Sequence, residues 1–116
     1  MKRNVIQEKS YAFAIRIVGL YKYLHTEKKE YVLSKQVLRS GTAIGANIEE
    51  AIGGQSRKDF VSKLAIAYKE ARETHYWLRI LSDTGYIKGS EAKSLTQDCE
   101  ELLKIMGSIQ KTTRNS

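Results

Sequence analysis

Phe60-Val61-Ser62-Lys63-Leu64-Ala65-Ile66-Ala67-Tyr68-Lys69-Glu70-Ala71-Arg72-Glu73-Thr74-His75-Tyr76-Trp77-Leu78-Arg79-Ile80-Leu81 decides the fold. Phe60, Leu64, Ala67, Ala71, Thr74, Leu78 and Leu81 recur at spacings of 4, 3, 4, 3, 4 and 3, the period of one helix face and not of a strand. Ser56 ahead of the run, with Asp59 after it, makes a short capping box. Gly85 beyond it fits a left-handed C-terminal cap.

Working outward, the same period appears on both sides. Phe13, Ile17, Leu20 and Leu24 form a stripe that Ala14, Val18 and Tyr21 widen, ending at the charged connector Thr26-Glu27-Lys28-Lys29-Glu30. A further helix is expected from an N-cap at Ser34, with Leu33 and Leu38 as a hydrophobic staple. Its stripe runs through Val37, Gly41, Ile44, Ile48 and Ala51, and Gly53-Gly54 supply the stop. Beyond Gly85, a last helix starts near Ser90 and carries Ala92, Leu95, Cys99, Leu102, Met106 and Ile109, with a tail from Lys111 to Ser116 expected to fray. Four amphipathic helices with short connections imply an all-α fold, an antiparallel up-down-up-down four-helix bundle in one domain spanning 1–116.

Composition agrees. The 116 residues contain no proline, so nothing in the chain forces a helix to break. Hydrophobic content of 41% with 28% charge suits a packed domain and excludes a disordered one. A lone cysteine cannot form an internal disulfide, no signal peptide is visible and no apolar run is long enough to span a membrane, so a cytoplasmic location without membrane contact is expected. Twenty basic residues against thirteen acidic ones give a net charge of +7. The excess sits in 1–30, with seven basic and three acidic residues, and in 57–88, with seven and four. Such an excess favours anionic partners, and it also serves plain solubility.

Two features exceed what a monomeric bundle needs. The third helix is apolar on a second face, with Ile66, Trp77 and Ile80 at helical spacing and Tyr76 beside them. That face reads as an oligomer interface, the alternative being that Trp77 and Ile80 pack on the Tyr86-Ile87 turn. The second helix carries Gly41 and Gly45 in its interior, where each costs about 1 kcal/mol relative to Ala. Close helix packing or a ligand notch would account for them. Gln36, Ser40 and Asn47 form a polar column along its flank, read as a hydrogen-bond network that fixes register or as a binding site.

Catalytic patterns are nearly absent. Neither His25 nor His75 belongs to a Glu-x-x-His pair, no metal-binding or Walker-type spacing occurs, and Cys99 occupies a core stripe position. Glu49-Glu50 and Glu70 with Glu73 read as solvated or ion-paired carboxylates. No enzyme, no catalytic residue, no metal and no cofactor are expected. Basic residues beside tyrosines, with Arg57 and Lys58 at a helix N-terminus, suit phosphate binding. The candidate nucleic-acid contacts are Lys28, Lys29, Arg39, Arg57, Lys58, Lys63 and Lys69.

Leu33-Ser34-Lys35-Gln36-Val37-Leu38-Arg39-Ser40, Ala43-Ile44-Gly45-Ala46-Asn47-Ile48-Glu49-Glu50 and Ser56-Arg57-Lys58-Asp59-Phe60 with Leu64 resemble the four-helix bundle family encoded in bacterial 23S rRNA intervening sequences, also labelled ribosomal-protein-like. The chain departs from the family's usual pattern at Ala43 and Ala51. The resemblance implies a homopentameric ring, and it extends more distantly to accessory proteins of diversity-generating retroelements, which are basic, bind nucleic acid and partner a reverse transcriptase. It carries over no catalytic residue, and it leaves Gln36, Arg39, Ser40, Asn47 and Glu50 as structural motif positions. The expectation is a non-enzymatic homo-oligomer that offers a basic surface to RNA or DNA. The alternative is an oligomeric protein-interaction scaffold without nucleic-acid binding.

Overall fold

Asn4 sets the first helix by accepting the Gln7 amide on its side chain, so α1 runs Val5–Thr26. A computed structural model describes residues 4–114; within them follow α2 (Leu33–Ile52), α3 (Arg57–Asp83) and α4 (Gly89–Arg114). Each helix packs on its neighbours in chain order, and α4 closes back on α1 along the thinnest seam, whereas α1 and α3 stand on diagonal corners. That is the antiparallel bundle the stripes predict, 46 Å long and 26 by 21 Å across.

The interior is the union of the four stripes. Phe13, Ile17, Leu20 and Leu24 meet Val37, Ile44 and Ile48, then Leu64, Ala67, Ala71, Leu78 and Leu81, then Leu95, Cys99, Leu102 and Met106, all buried. The glycines of α2 are packing residues. A Cβ on Gly41 would lie 2.8 Å from both Cγ atoms of Ile17, and one on Gly45 would lie 3.3 Å from the Ser10 carbonyl oxygen. Their absence lets α1 and α2 approach closely, which offsets the propensity each glycine gives up.

The helix ends differ in part from expectation. Ser56 does cap α3, accepting the Asp59 amide at 3.1 Å. Gly85 takes φ +84°, with its own amide on Ser82 and the Tyr86 amide on Leu81, the paired bonds of a Schellman motif. Ser34, in contrast, does not cap α2, because the helix already begins at Leu33. Glu30 does so from the connector, its carboxylate accepting the amides of Val32, Leu33 and Ser34, while the Ser34 hydroxyl donates back to the Glu30 carbonyl. Lys29 adopts φ 56° to make that reversal, a conformation costing a non-glycine residue about 1 kcal/mol. The stop at Gly53 is made with an ordinary φ of −83°, its amide on Glu49. The tail does not fray as far as expected: Lys111 to Arg114 remain helical, and Asn115 and Ser116 lie outside the described residues. Val18, expected to widen the core stripe of α1, faces outward and is 37% exposed.

Candidate interaction surfaces

Along the outer seam of α2 and α3 two antiparallel columns face each other. On α2 the column is Gln36, Ser40, Ala43, Asn47 and Glu50, spaced 4, 3, 4 and 3, with Arg39 on its rim. On α3 it is Lys63, Ile66, Glu70, Glu73, Trp77 and Ile80, spaced 3, 4, 3, 4 and 3. Lys63 Nζ lies 2.8 Å from Glu50 Oε1 at one end. In the middle, the Arg39 guanidinium reaches Glu70 at 3.2 Å and also Glu73. Glu73 accepts the Trp77 indole N–H at 2.9 Å as well. Those two donors, Trp77 first and Arg39 second, outweigh the cost of partial burial and hold the Glu73 carboxyl below the usual carboxylate range. Beneath this layer the buried Ser40 and Thr74 hydroxyls sit 2.8 Å apart.

The motif positions and the second apolar face are therefore one surface. Ser40 does tie α2 to α3, as a register network requires. Asn47 bonds to its own helix instead, donating to the Ala43 carbonyl at 2.9 Å, and Gln36 is exposed. Among the interface candidates, Tyr76 is 47% and Ile66 39% exposed. Trp77 and Ile80 are half-buried, and Trp77 packs on the core with the Tyr76 ring edge-on to it at 5.0 Å.

A second apolar stripe lies on α1, and sequence reading placed none there. Tyr11, Ile15 and Val18, spaced 4 and 3, turn away from the core and are 65%, 58% and 37% exposed. The spacing was visible in the sequence, but beside the strong core stripe it reads as the edge of that stripe.

The basic candidates do not gather into one patch on a single chain. Lys28 and Lys29 sit in the α1–α2 connector, with Lys28 over the Tyr23 ring at 5.9 Å. Arg57 and Lys58 begin α3 at the opposite end, where Arg57 donates to the Thr113 carbonyl of α4. Arg39 and Lys63 are held by carboxylates along the seam, and Lys69 is exposed on α3. The hydrogen bond to Glu73 raises the Arg39 pKa further. Among the described residues no three His, Cys, Asp or Glu side chains are grouped to hold a metal ion, and no helix is long and apolar enough to cross a membrane. Cys99 is buried with its thiol on the Ala71 carbonyl, and burial, followed by Glu100 and Asp98, pushes its pKa up to about 12.

A family model for 23S rRNA-intervening sequence proteins matches residues 2–108, nearly the whole bundle. The chain belongs to that family. No curated protein matches it. Its structure is similar to the crystal structure of a protein of unknown function from the S23 ribosomal protein family of Bacteroides thetaiotaomicron, at 56% identity and a TM-score of 0.91. The likeness covers 96% of this chain and 99% of that one, so the family's bundle extends through α4.

Proposed function

We propose that this family member works as a ring of identical subunits, five by its resemblance, that presents basic rims to RNA or DNA without catalysing a reaction. One observation carries the reading: the exposed stripe Tyr11, Ile15 and Val18 lies on α1, diagonal to the apolar seam of Ile66, Tyr76, Trp77 and Ile80 on α3. Two unlike apolar faces on diagonal helices of one chain favour head-to-tail contacts, and such contacts close into rings. Aromatic side chains on both faces, Tyr11 on one and Tyr76 with Trp77 on the other, suit a buried interface.

A ring also gives the scattered lysines a use. With the helices roughly along the ring axis, Lys28 and Lys29 would repeat around one rim and Arg57 and Lys58 around the other. Repetition multiplies a weak phosphate contact. The scaffold reading keeps one observation in its favour, since Arg39 and Lys63 spend their charge on carboxylates of the same chain.

Sedimentation tests the assembly. Ile15→Glu and Trp77→Ala each lower the mass to that of a monomer. An equimolar mixture of the two recovers a dimer, because each variant keeps the face the other lacks. A mixture that stays monomeric, or variants with unchanged mass, would remove the head-to-tail ring. For the rims, binding of a structured RNA should weaken by about a thousandfold or more between about 50 and 200 mM salt if six or more phosphates are neutralised. Absence of binding at low salt leaves the scaffold.

A further inference from the structure

Of the helix-interior glycines, Gly41 and Gly45 are explained by close packing, whereas Gly19 and Gly107 are not, and of these two only Gly19 borders the cleft between α1 and the α3–α4 turn. Gly19 stands in the middle of α1, exposed, and a Cβ built on it would meet no atom within 4 Å. An alanine there would favour the helix, so packing gives no reason for glycine. What Gly19 does is floor a cleft of about 610 Å³, where the last turns of α1 meet the α3–α4 turn. That volume lies in the range of small-molecule sites.

The lining has a definite chemistry. Lys28 and Lys88 reach it from the two connectors, and neither forms an ion pair among the described residues. Arg16 also lines it but is already held by Asp98 at 2.6 Å and Glu91 at 3.3 Å. Glu91 is the single carboxylate in the wall, so the two lysines leave an uncompensated positive charge. Tyr23 from α1 and Tyr86 from the turn supply aromatic surface, Tyr23 being 42% exposed. Helix α4 begins at Gly89, directly after Lys88, so the positive end of its dipole adds to the same charge.

Two ammonium groups without a carboxylate partner, Lys28 lying 5.9 Å from the Tyr23 ring centroid, beside two phenol rings and over a floor kept open by a glycine, match an anion joined to a flat ring. We propose that this cleft binds a nucleoside phosphate, with Lys28 and Lys88 on the phosphate and Tyr23 and Tyr86 against the base. The ligand is either a free mononucleotide or one nucleotide of a single strand. The cleft shares Lys28 with the rim-binding reading and does not rest on it.

Calorimetric titration of the full chain with the four ribonucleoside 5′-monophosphates, and separately with a short single-stranded RNA, tests the site. The expected result is saturable binding of at least one of these probes, one per subunit. For a mononucleotide, the matching nucleoside without phosphate should bind about tenfold or more weakly. Gly19→Leu fills the cleft on an exposed helix face, so it should melt no lower than the wild type. It should weaken the bound probe about tenfold or more, as loss of a stacked base does. Lys88→Glu should weaken it comparably, and Lys104→Ala, exposed on α4 away from the cleft, should leave it unchanged. Binding of the mononucleotide identifies the free ligand as the source. Binding of the RNA alone, lost in Gly19→Leu, identifies the strand. The proposal is overturned if neither probe binds up to about 1 mM. It is equally overturned if Gly19→Leu and Lys88→Glu bind as the wild type does. In that second case RNA binding persists, and the rim reading stands while the cleft falls.

Discussion

Glu30 shows how one side chain can govern a helix end from outside it. Partial burial by itself would raise the carboxyl's pKa, yet the three amides it accepts, with the Ser34 hydroxyl, outweigh that and leave it lowered. A folded-state pKa below the unfolded value contributes stability above the unfolded pKa, and that stability is lost as pH falls through the folded one. Glu30→Ala should therefore cost about 1 kcal/mol near neutral pH, the usual loss for a helix N-cap. The gap between wild type and variant should narrow in acid, once the wild-type carboxylate is protonated. Urea titrations at pH 7 and pH 3 measure both numbers. A penalty of equal size at the two pH values would mean that the negative charge is not what holds the α2 terminus.

At the scale of elements, the α2–α3 seam joins an exposed charged layer to a buried hydroxyl pair. The Arg39 guanidinium is half-exposed, and exposed ion pairs contribute about 0–1 kcal/mol, so specificity falls to Ser40 and Thr74 beneath it. Removing one hydroxyl leaves the other buried with one partner fewer, whereas removing both replaces a polar contact with an apolar one. Ser40→Ala and Thr74→Val should each cost about 1–2 kcal/mol, and the double variant should cost clearly less than their sum. Simple additivity in a double-mutant cycle would show that the two hydroxyls act independently. The seam also marks where sequence reading stopped. The stripe from Phe60 to Leu81 placed α3 and its buried face correctly, because helical period is a local property. That Arg39 would meet Glu70 and Glu73, or that Lys63 would meet Glu50, depends on which helices become neighbours and in what register, and no spacing within one helix states that. The cap of α2 was missed for a related reason: Ser34 has the right residue type, but the reversal at Lys29 brings a carboxylate to the amides first. Val18 was misassigned because the width of a stripe is set by the helices packed against it, which no spacing within α1 states.

For the whole molecule, Cys99 is a reporter of how the bundle opens. Its side chain is fully buried among α3 and α4 residues, and with a pKa pushed up to about 12 it stays a protonated thiol at any physiological pH. A disulfide reagent requires the thiolate, so labelling in the folded state must pass through an opening that exposes the core. With ordinary domain stabilities of about 5 kcal/mol or more, such openings are populated roughly five-thousandfold less than the closed state, or rarer still. Labelling at pH 8 should accordingly be slower than in urea by about that factor, and the factor should rise with any substitution that stabilises the bundle. A ring adds a second dependence. Subunit contacts that exist only between folded chains stabilise the folded state by mass action. Protection of Cys99 should then increase with protein concentration in the wild type and become independent of concentration in Trp77→Ala and Ile15→Glu. Rapid labelling of the native protein would mean that α3 and α4 part locally at Cys99 without global unfolding. Concentration-independent protection in the wild type would mean that the two apolar faces do not meet.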